Sequence, residues 1–211
     1  MLKIEKTETY GWEAAIRGMR NPMNSWDKSD SEWLIPLNPL STEGAFYNIG
    51  DKDYTLMFSL SKGGPDHGKF LRMITVTTDV VAPLYWWKEF DTYKVGTVAN
   101  SCSTMHRIHS KEFTLDDFSI EHLEANELHV FKGLMYRMEA NRKLFLVSQE
   151  KQYWYRMIQL LPSSYNQRRT VQLNYQVLKN IYHARKNHKL DEWHTFCEWI
   201  ETLPYSELIT I

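Results

Sequence analysis

Residues 161–189, LPSSYNQRRTVQLNYQVLKNIYHARKNHK, carry the clearest change of pattern in the chain. A Leu-Pro pair and the turn-forming residues Ser-Ser-Tyr-Asn open the stretch, and a short β-favouring run follows at 170–173. From Asn174 to about His188 the apolar residues recur with the period of an α-helix. The stretch therefore predicts a turn, a strand and a helix in immediate succession.

Two polar residues share the apolar stripe of this helix. Asn174 and Arg185 are eleven positions apart, which corresponds to about 20° of rotation on an α-helix. The stripe also carries Val177, Leu178 and Ile181, so an amide and a guanidinium lie on the side expected to face inward. Because buried polar groups need partners, two interpretations stay open. Either the two side chains cap and pair with neighbouring elements, or they line a pocket for an anion.

Composition limits the classes of protein to which the chain can belong. Its 211 residues suffice for one domain with a full-sized core, and we expect a single domain over 1–211. The 25 basic and 26 acidic residues give a net charge of −1, which argues against a general nucleic-acid binder. The opening residues MLKIEKTETY form no apolar signal region, and no apolar run could cross a bilayer. A cytoplasmic protein without membrane spans is expected, and the eight Trp predict a large aromatic core or subunit interface.

The remaining sequence predicts an α+β chain with a mixed antiparallel sheet and a helical C-terminal half. Residues 23–47 have no steady period and predict short turns or a lid-like excursion. Strands are expected at 2–9 and 70–81, helices at 12–20, 51–61, 84–94, 120–146, 150–161 and 191–203, and a polar turn at 100–109. Thr114 and the acidic residues that follow predict the start of a helical element. The core candidates of the longest helix are Leu123, Leu128, Phe131, Leu134, Met135 and Met138.

Common catalytic motifs are missing from the sequence. It contains no glycine-rich phosphate loop, no Cys-x-x-Cys pair and no Gly-x-Ser-x-Gly elbow. Two groups have the side chains of metal ligands but not a usual zinc spacing, so no metal site is expected. They are Cys102 with His106 and His109, and His194 with Cys197. We interpret Cys102 as a buried thiol rather than as a nucleophile.

Arg168 and Arg169 form a basic pair three residues after Tyr165. Guanidinium groups bind phosphate through paired N–H donors, which favours a contact with a phosphorylated ligand. The alternative is a solvated turn that precedes the strand.

The segment 161–185 resembles the C-terminal motif of the flavin-dependent thymidylate synthases, in which Leu-Pro precedes a strand, an Asn and a helix with a nucleotide-binding Arg. By this resemblance, Asn174 and Asn180 are expected to contact the flavin. Arg185 is expected to contact dUMP. Arg168 is expected to be a second contact to the substrate. The run GWEAAIRGMRN at 11–21 is also similar to the first helix of the family.

The strand at 70–81, with Ala82-Pro83 after it, is similar to the strand that precedes the family signature. His67 falls where the family has a His before that strand, and the resemblance makes it a cofactor contact. The signature is Arg-His-Arg, seven residues and then Ser, within a run ending Asn-Glu-x-Ser-x-Arg-Tyr. Asn100 and Ser103 align with its second part, so Ser103 is expected to contact the substrate.

The first part of the signature differs in this chain. Counting forward from Pro83 places Thr92, Tyr93 and Lys94 at the Arg-His-Arg positions, and counting back from Ser103 shifts them by one residue. The Arg-His-Arg triad is therefore absent in either register. Lys94 is the cofactor contact expected at this place.

The resemblance implies the fold of this family, FAD as cofactor, a dUMP-like substrate and a homotetramer with sites between subunits. If the chain is catalytic, reduced flavin would deliver a hydride to a pyrimidine that carries a transferred one-carbon unit. WWKEFDTYKVGTVANSCSTMH and LLPSSYNQRRTVQLNY are also similar to a group of bacteriophage and prophage proteins.

The sequence leaves three functions open. The first is a divergent flavin-dependent enzyme of this fold. The second is a nucleotide-binding protein that kept the fold and lost the flavin chemistry. The third is an interaction partner of host proteins or nucleic acid that uses the Trp-rich segment 24–40 and Arg168-Arg169, although binding to nucleic acid is not expected from the charge.

Overall fold

A computed structural model describes residues 2–35 and 45–211. The described strands are β1 (Lys3–Tyr10), β2 (Glu32–Leu34), β3 (Phe46–Asn48), β4 (Thr75–Pro83), β5 (Thr97–Ser101) and β6 (Asn166–Asn174). The described helices are α1 (Trp12–Arg20), α2 (Asp51–Lys62), α3 (Leu84–Phe90), α4 (Ala125–Ser148), α5 (Lys151–Leu160), α6 (Tyr175–Arg185), α7 (Asp191–Glu201) and α8 (Glu207–Thr210). This content of helices and strands confirms the predicted α+β class.

Four strands form a sheet in the order β1-β4-β6-β5. The direction of the β4–β6 pair follows from two backbone hydrogen bonds, Leu84 N–H to the Tyr165 carbonyl and Tyr175 N–H to the Ile74 carbonyl, both at 3.0 Å. Residue numbers rise along one strand as they fall along the other, so the two strands are antiparallel. β2 and β3 form a separate antiparallel pair with Trp33 opposite Tyr47.

The described part of the chain divides into two compact units. The first unit comprises Met1–Lys6, Thr78–Lys94 and Ala99–Val171, and the second comprises Thr7–Thr77, Val95–Val98 and Gln172–Ile211. Fully buried side chains of the first unit include Trp86, Trp87, Phe90, Met138 and Met157; those of the second include Ile16, Met57, Ile74, Tyr175, Trp193 and Phe196. The large aromatic core is therefore present in both units. The single domain over 1–211 stays a prediction.

The helix that follows β6 forms as the sequence indicates. Asn174 adopts extended backbone angles and its side-chain oxygen accepts a hydrogen bond from the Val177 N–H at 3.0 Å, which caps the first turn of α6. Leu178 and Ile181 are fully buried. The inward stripe of the sequence is thus the packed face of α6, and the capping interpretation of Asn174 is confirmed.

Several predicted boundaries differ from the observed ones. The predicted strand at 70–81 begins only at Thr75, because Phe70 and Leu71 are both buried in a short 3₁₀ turn, Gly68–Arg72, and a strand would send them to opposite faces. β6 is longer than the predicted run and contains Arg168 and Arg169, so their interpretation as a solvated turn is wrong. The long helix begins at Ala125, which leaves the core candidate Leu123 outside it and 37% exposed.

The irregular region at 23–47 follows one short 3₁₀ turn, Asn21–Met23, and contains a second, Trp26–Lys28, together with β2 and the start of its antiparallel partner β3. Trp26 and Trp33 are about half exposed, at 50% and 56%. Each indole N–H nevertheless donates a hydrogen bond, to Asn21 at 2.8 Å and to Glu13 at 3.1 Å. Residues 36–44, which include the end of the Trp-rich segment 24–40, lie outside the described residues.

A buried ion pair anchors this region in the second unit. Arg20 donates from Nε to the fully buried Asp53 carboxylate at 2.6 Å. The other oxygen of Asp53 accepts hydrogen bonds from the hydroxyls of Ser29 at 2.6 Å and Ser31 at 2.7 Å. Burial alone would raise the pKa of Asp53, but these hydrogen bonds and the Arg20 charge outweigh it and lower the pKa below its ordinary value.

Candidate functional site

The first unit contains a cleft beside the start of β6, which we call the β6 cleft. Its volume is about 360 Å³, which lies within the range of about 300–1,000 Å³ common to small-molecule sites. Tyr165, Ile108 and Phe113 supply aromatic and aliphatic surface. The polar residues of the wall are Cys102, Ser103, Thr104, Arg107, Ser110, Lys111, Asp116, Asp117, Asn166, Gln167 and Arg168.

Gln167 fixes the turn that leaves β5. Its side-chain Nε2 donates to the Cys102 carbonyl at 2.7 Å, and the Cys102 N–H donates to the Arg168 carbonyl at 2.9 Å. The Trp87 indole donates to the Gln167 carbonyl at 2.9 Å, so Gln167 is held from both sides. Hydrogen bonds of this kind position the backbone at Cys102 and Ser103 against β6.

Ser103 is the first residue of a tight turn. Its hydroxyl oxygen accepts a hydrogen bond from the His106 N–H at 2.9 Å. A serine hydroxyl has one donor as well as acceptor lone pairs, so this arrangement leaves the Ser103 O–H as a donor for a ligand in the cleft.

The loop that follows β5 is attached to α4 at its other end, near Phe113. Glu139 accepts two hydrogen bonds from Arg142, both at 2.7 Å, and one from the Phe113 N–H at 3.2 Å. The Arg142 hydrogen bond and charge lower the pKa of the Glu139 carboxyl, despite its burial. Lys111 pairs with Asp117, whose carboxylate also accepts from the Thr114 N–H at 2.9 Å. The predicted helical start at Thr114 is thus a capping box on a 3₁₀ turn.

Three cations lie in the wall of the β6 cleft, and they differ in their partners. Arg168 donates from Nη2 to Glu5 at 2.7 Å and to Asp79 at 3.1 Å. Lys111 is paired with Asp117, but its side chain remains 66% exposed. Arg107 is exposed and has no ion-pair partner within residues 2–35 and 45–211. The sequence reasoning missed Arg107 and Lys111, because a turn without periodicity gives no indication of where its side chains point.

The second unit contains another cleft, between α6, the end of α2 and the turn at Gly64-Pro65, which we call the α6 cleft. Its volume is about 500 Å³, and its wall includes Asn180, one of the predicted flavin contacts. Lys179 also lies there and donates from Nζ to the Ser61 carbonyl at 2.9 Å. The remaining residues of the wall are Gln176, His183 and Ala184.

The predicted site residues are distributed over both units. Ser103 and Arg168 meet in the β6 cleft, whereas Asn180 lines the α6 cleft. The Arg185 guanidinium lies over the Trp193 ring, 4.8 Å from its centroid. Lys94 is exposed in the first unit.

Asn174 and His67 belong to the second unit. Asn174 caps α6 and packs closely against Gly96. If Gly96 were replaced by a residue with a Cβ, that atom would lie 2.9 Å from Asn174 Nδ2. The φ of +79° at Gly96 is a backbone conformation that suits glycine. His67 is exposed and lies beside Gly63. The ligand-binding roles of all the predicted site residues stay predictions.

Cys102 differs from its interpretation as a buried thiol. It is exposed and lines the β6 cleft, because the turn after β5 faces the cleft rather than the core. Cys197 is buried, and burial raises the pKa of its thiol to about 11.

Within the described ranges, no group of three or more His, Cys, Asp or Glu side chains is arranged to hold a metal ion. None of the described helices is long and apolar enough to cross a membrane.

Solved structures share the fold of this chain over its full length. Thymidylate synthase X from Helicobacter pylori with FAD and dUMP aligns with a TM-score of 0.68 and 15% identity, over 100% of this chain and 97% of that one. A second structure of the Helicobacter pylori flavin-dependent enzyme, complexed with FAD and dUMP, gives 0.66 and 15%, over 99% and 97%. A UMP/dUMP methylase from Streptomyces cacaoi bound with 5-Br dUMP gives 0.63 and 12%, over 98% and 92%.

No protein-family model and no curated protein sequence matches the chain. The structural likeness therefore shows the fold alone, and it confirms the fold that the C-terminal motif predicted.

Proposed function

We propose that this chain, which has the fold of the flavin-dependent thymidylate synthases, binds a pyrimidine nucleotide of the dUMP class in the β6 cleft. The observation that carries the proposal is Arg107, an exposed guanidinium in the wall of a cleft that also contains Ser103. Since no carboxylate in the described part of the chain pairs with Arg107, its charge is available to an anionic ligand. A phosphate monoester supplies the matching charge and geometry.

The rest of the cleft suits a nucleotide. Lys111 and the Ser103 hydroxyl add donors for phosphate oxygens. Asn166 accepts a hydrogen bond from Ser119 at 2.8 Å, which leaves its amide N–H groups for a uracil carbonyl. Tyr165 and Phe113 offer aromatic surface against which a base or sugar can pack.

Arg168 belongs to the same proposal as a supporting cation. Its guanidinium is shared with Glu5 and Asp79, so it contributes less free charge than Arg107. Arg185 belongs to the second unit and does not line this cleft, so the phosphate contact that the resemblance implies for it stays a separate prediction. The flavin contacts implied for His67, Lys94, Asn174 and Asn180 stay predictions as well.

The proposed function has two forms. In the catalytic form the protein also binds FAD, and in the binding-only form it binds the nucleotide without FAD. In the catalytic form, FAD would supply the hydride for one-carbon transfer to the base. At the positions of the Arg-His-Arg triad the chain has Thr92, Tyr93 and Lys94, of which Lys94 is the one cation and is exposed. One exposed lysine in place of Arg-His-Arg does not fit the flavin contact that the resemblance implies. This departure favours the binding-only form.

Thermal unfolding with dUMP tests nucleotide binding. At a dUMP concentration of about one hundred times the dissociation constant, binding adds about 2.7 kcal/mol to the free energy of unfolding, which raises the Tm by roughly 5–11 °C. Arg107→Gln should weaken binding about ten- to hundredfold, because it removes a charge-assisted hydrogen bond worth about 1.5–3 kcal/mol. Arg137→Gln, an exposed residue of α4 outside the cleft, is the matched control and should bind as the wild type does.

The absence of any Tm shift with dUMP or UMP would overturn the proposal, as would equal binding by the Arg107 and Arg137 variants. Yellow protein with flavin absorbance would support the catalytic form, and colourless protein that binds dUMP the binding-only form. Salt-dependent binding to DNA or RNA in place of nucleotides would instead support the interaction-partner function.

A further inference from the structure

One face of α4 is exposed along most of the length of the helix. Successive residues of this face are separated alternately by three and four positions, which is the spacing along the contact side of a paired helix. We call these residues the α4 seam: Val130, Gly133, Arg137, Ala140, Leu144 and Val147. All six are exposed, Val130 at 71% and Val147 at 88%.

The composition of the α4 seam is unusual for a helix face in contact with water. Arg137 is its one charged residue, and three of the other five are branched apolar side chains. A helix at the surface normally presents polar and charged residues on the side opposite the core. The other side of α4 does face the core, through the buried side chains of Met135 and Met138. α4 is therefore apolar on two sides, which is the pattern of a helix that packs against two neighbours.

Gly133 is a second, independent indication of a helix on this face. Glycine in the middle of a helix is destabilising relative to alanine, because it loses more backbone freedom on folding. Outside the backbone of α4 itself, no heavy atom of the described residues lies within 4 Å of the place that a Cβ on Gly133 would take. No contact within the described chain thus requires glycine here, whereas the close approach of another helix would.

The order of large and small residues makes the α4 seam complementary to itself. Two antiparallel copies of α4 pair in register when Arg137 of each lies opposite Ala140 of the other. In that register Gly133 faces Leu144, and the two valines at the ends of the seam face each other. Large side chains then lie opposite small ones, as close packing requires. A parallel pair would place glycine on glycine and Arg137 on Arg137, which leaves a void and brings like charges together.

The charges beside the α4 seam favour the same antiparallel arrangement. Glu127 lies in the first turn of α4 and Lys143 near its C-terminal end, and both are exposed. Antiparallel pairing brings the acidic end of each helix toward the basic end of the other, and it also opposes the two helix dipoles. Tyr136 and Lys143 are seven residues apart on one flank of the seam. Pairing therefore places each lysine beside the tyrosine of the other copy, where a cation–π contact forms.

We propose that a second copy of this chain packs on the α4 seam, with the two α4 helices antiparallel and Arg137 opposite Ala140. The partner is a copy of the chain because the seam complements itself in size and in charge. This interface goes beyond nucleotide binding, since the described wall of the β6 cleft contains no seam residue. The homotetramer that the resemblance implies stays a separate prediction.

Disulfide trapping tests the arrangement of the two helices. All the proteins carry Cys102→Ser, which removes the exposed native thiol. Val130→Cys and Val147→Cys are co-expressed as two differently tagged chains and oxidised mildly. This pair should give about tenfold more cross-linked dimer than either variant alone, because a disulfide needs Cα atoms less than about 7 Å apart. In antiparallel helices the two copies of residue 130 are about 25 Å apart.

Cross-linking of each single variant with itself would indicate parallel helices and would overturn the proposal. Failure of the co-expressed pair to cross-link would overturn it as well.

Sedimentation velocity distinguishes the α4 seam from the rest of the surface. Leu144→Glu places a charge in the seam and should halve the mass of the assembly. Leu146→Glu is the matched control, because Leu146 lies on the same helix outside the seam and is 46% exposed, against 48% for Leu144. Its assembly should keep the wild-type mass. A monomeric wild type, an unchanged mass for Leu144→Glu or equal dissociation of both variants would each contradict the proposed interface.

Discussion

Glu5 and Arg168 form an ion pair of 2.7 Å, and the same guanidinium nitrogen of Arg168 lies 3.1 Å from Asp79. The three residues belong to β1, β6 and β4, which are neighbours in the sheet. Thr170 also donates to Asp79 at 2.6 Å, and this hydrogen bond, with the charges of Arg168 and Lys6, lowers the pKa of Asp79. The cross-strand carboxylates therefore compete with any ligand of the β6 cleft for Arg168.

Glu5→Gln is expected to strengthen dUMP binding. Removal of one competing carboxylate frees part of the Arg168 charge, and an exposed pair of this kind is worth about 0.2–1 kcal/mol, or up to roughly fivefold in affinity. Calorimetric titration at low and high salt measures the effect, which should shrink as salt screens it. Glu8→Gln, on the same strand, is the control. Unchanged or weaker binding by Glu5→Gln would remove Arg168 from the nucleotide site.

Asp53→Asn is expected to cost about 3–5 kcal/mol of stability near pH 7, because it leaves Arg20 buried without its counter-ion. Because folding lowers the pKa of Asp53 from an unfolded value of about 3.9, its stabilising contribution is complete above that pH and is lost as the pH falls through the lower folded pKa. The stability difference between wild type and variant should therefore shrink in acid. Urea unfolding at several pH values measures it.

Asp66→Asn is the control for that experiment, since Asp66 is exposed and its nearest cation, Lys69, lies 3.9 Å away. Its stability should follow the wild type at each pH. If the difference in unfolding free energy between wild type and Asp53→Asn stays constant down to acid pH, the charge of the Asp53 carboxylate is not what stabilises its contacts with Arg20, Ser29 and Ser31.

The two cysteines are expected to react with a thiol reagent at very different rates. Cys102 is exposed in the β6 cleft, whereas burial raises the pKa of Cys197 to about 11. Near pH 8 only about one in a thousand Cys197 side chains would be thiolate. Native protein should therefore release one equivalent of reporter rapidly and the second only on unfolding. Saturating dUMP should slow the first reaction, and a Cys102 rate unaffected by dUMP would place the nucleotide elsewhere.

Asn174 has a structural role that can be separated from its predicted contact with flavin. Asn174→Ala removes the cap of α6 and should cost about 0.5–2 kcal/mol, whereas Asn174→Asp keeps an accepting oxygen and should retain the stability. Thermal unfolding measures both variants. If Asn174→Asp retains its Tm but loses bound flavin, the amide N–H has a ligand role; if Asn174→Ala unfolds at the wild-type temperature, the capping assignment is wrong.

Local signals in the sequence determined two helices of the chain, α6 and α1, and the order of elements around α6. The period of residues 174–188 predicted α6 and its buried face, because a helix exposes one stripe to the core wherever it packs. The first helix was predicted with its observed bounds, Trp12–Arg20. The Leu-Pro, strand, Asn and helix order also identified the fold that the solved structures share.

Only the tertiary structure decided which side chains meet. Lys179 and Ser61 are 118 positions apart, and no local pattern relates a lysine on one helix to a carbonyl at the end of another. Arg107 and Lys111 enter the β6 cleft because Gln167 and Glu139 fix the two ends of a turn that has no period of its own. Cys102 is exposed for the same reason. Periodicity records the environment of a regular element, whereas a cleft is made where separate segments come together, and that depends on long-range hydrogen bonds and packing.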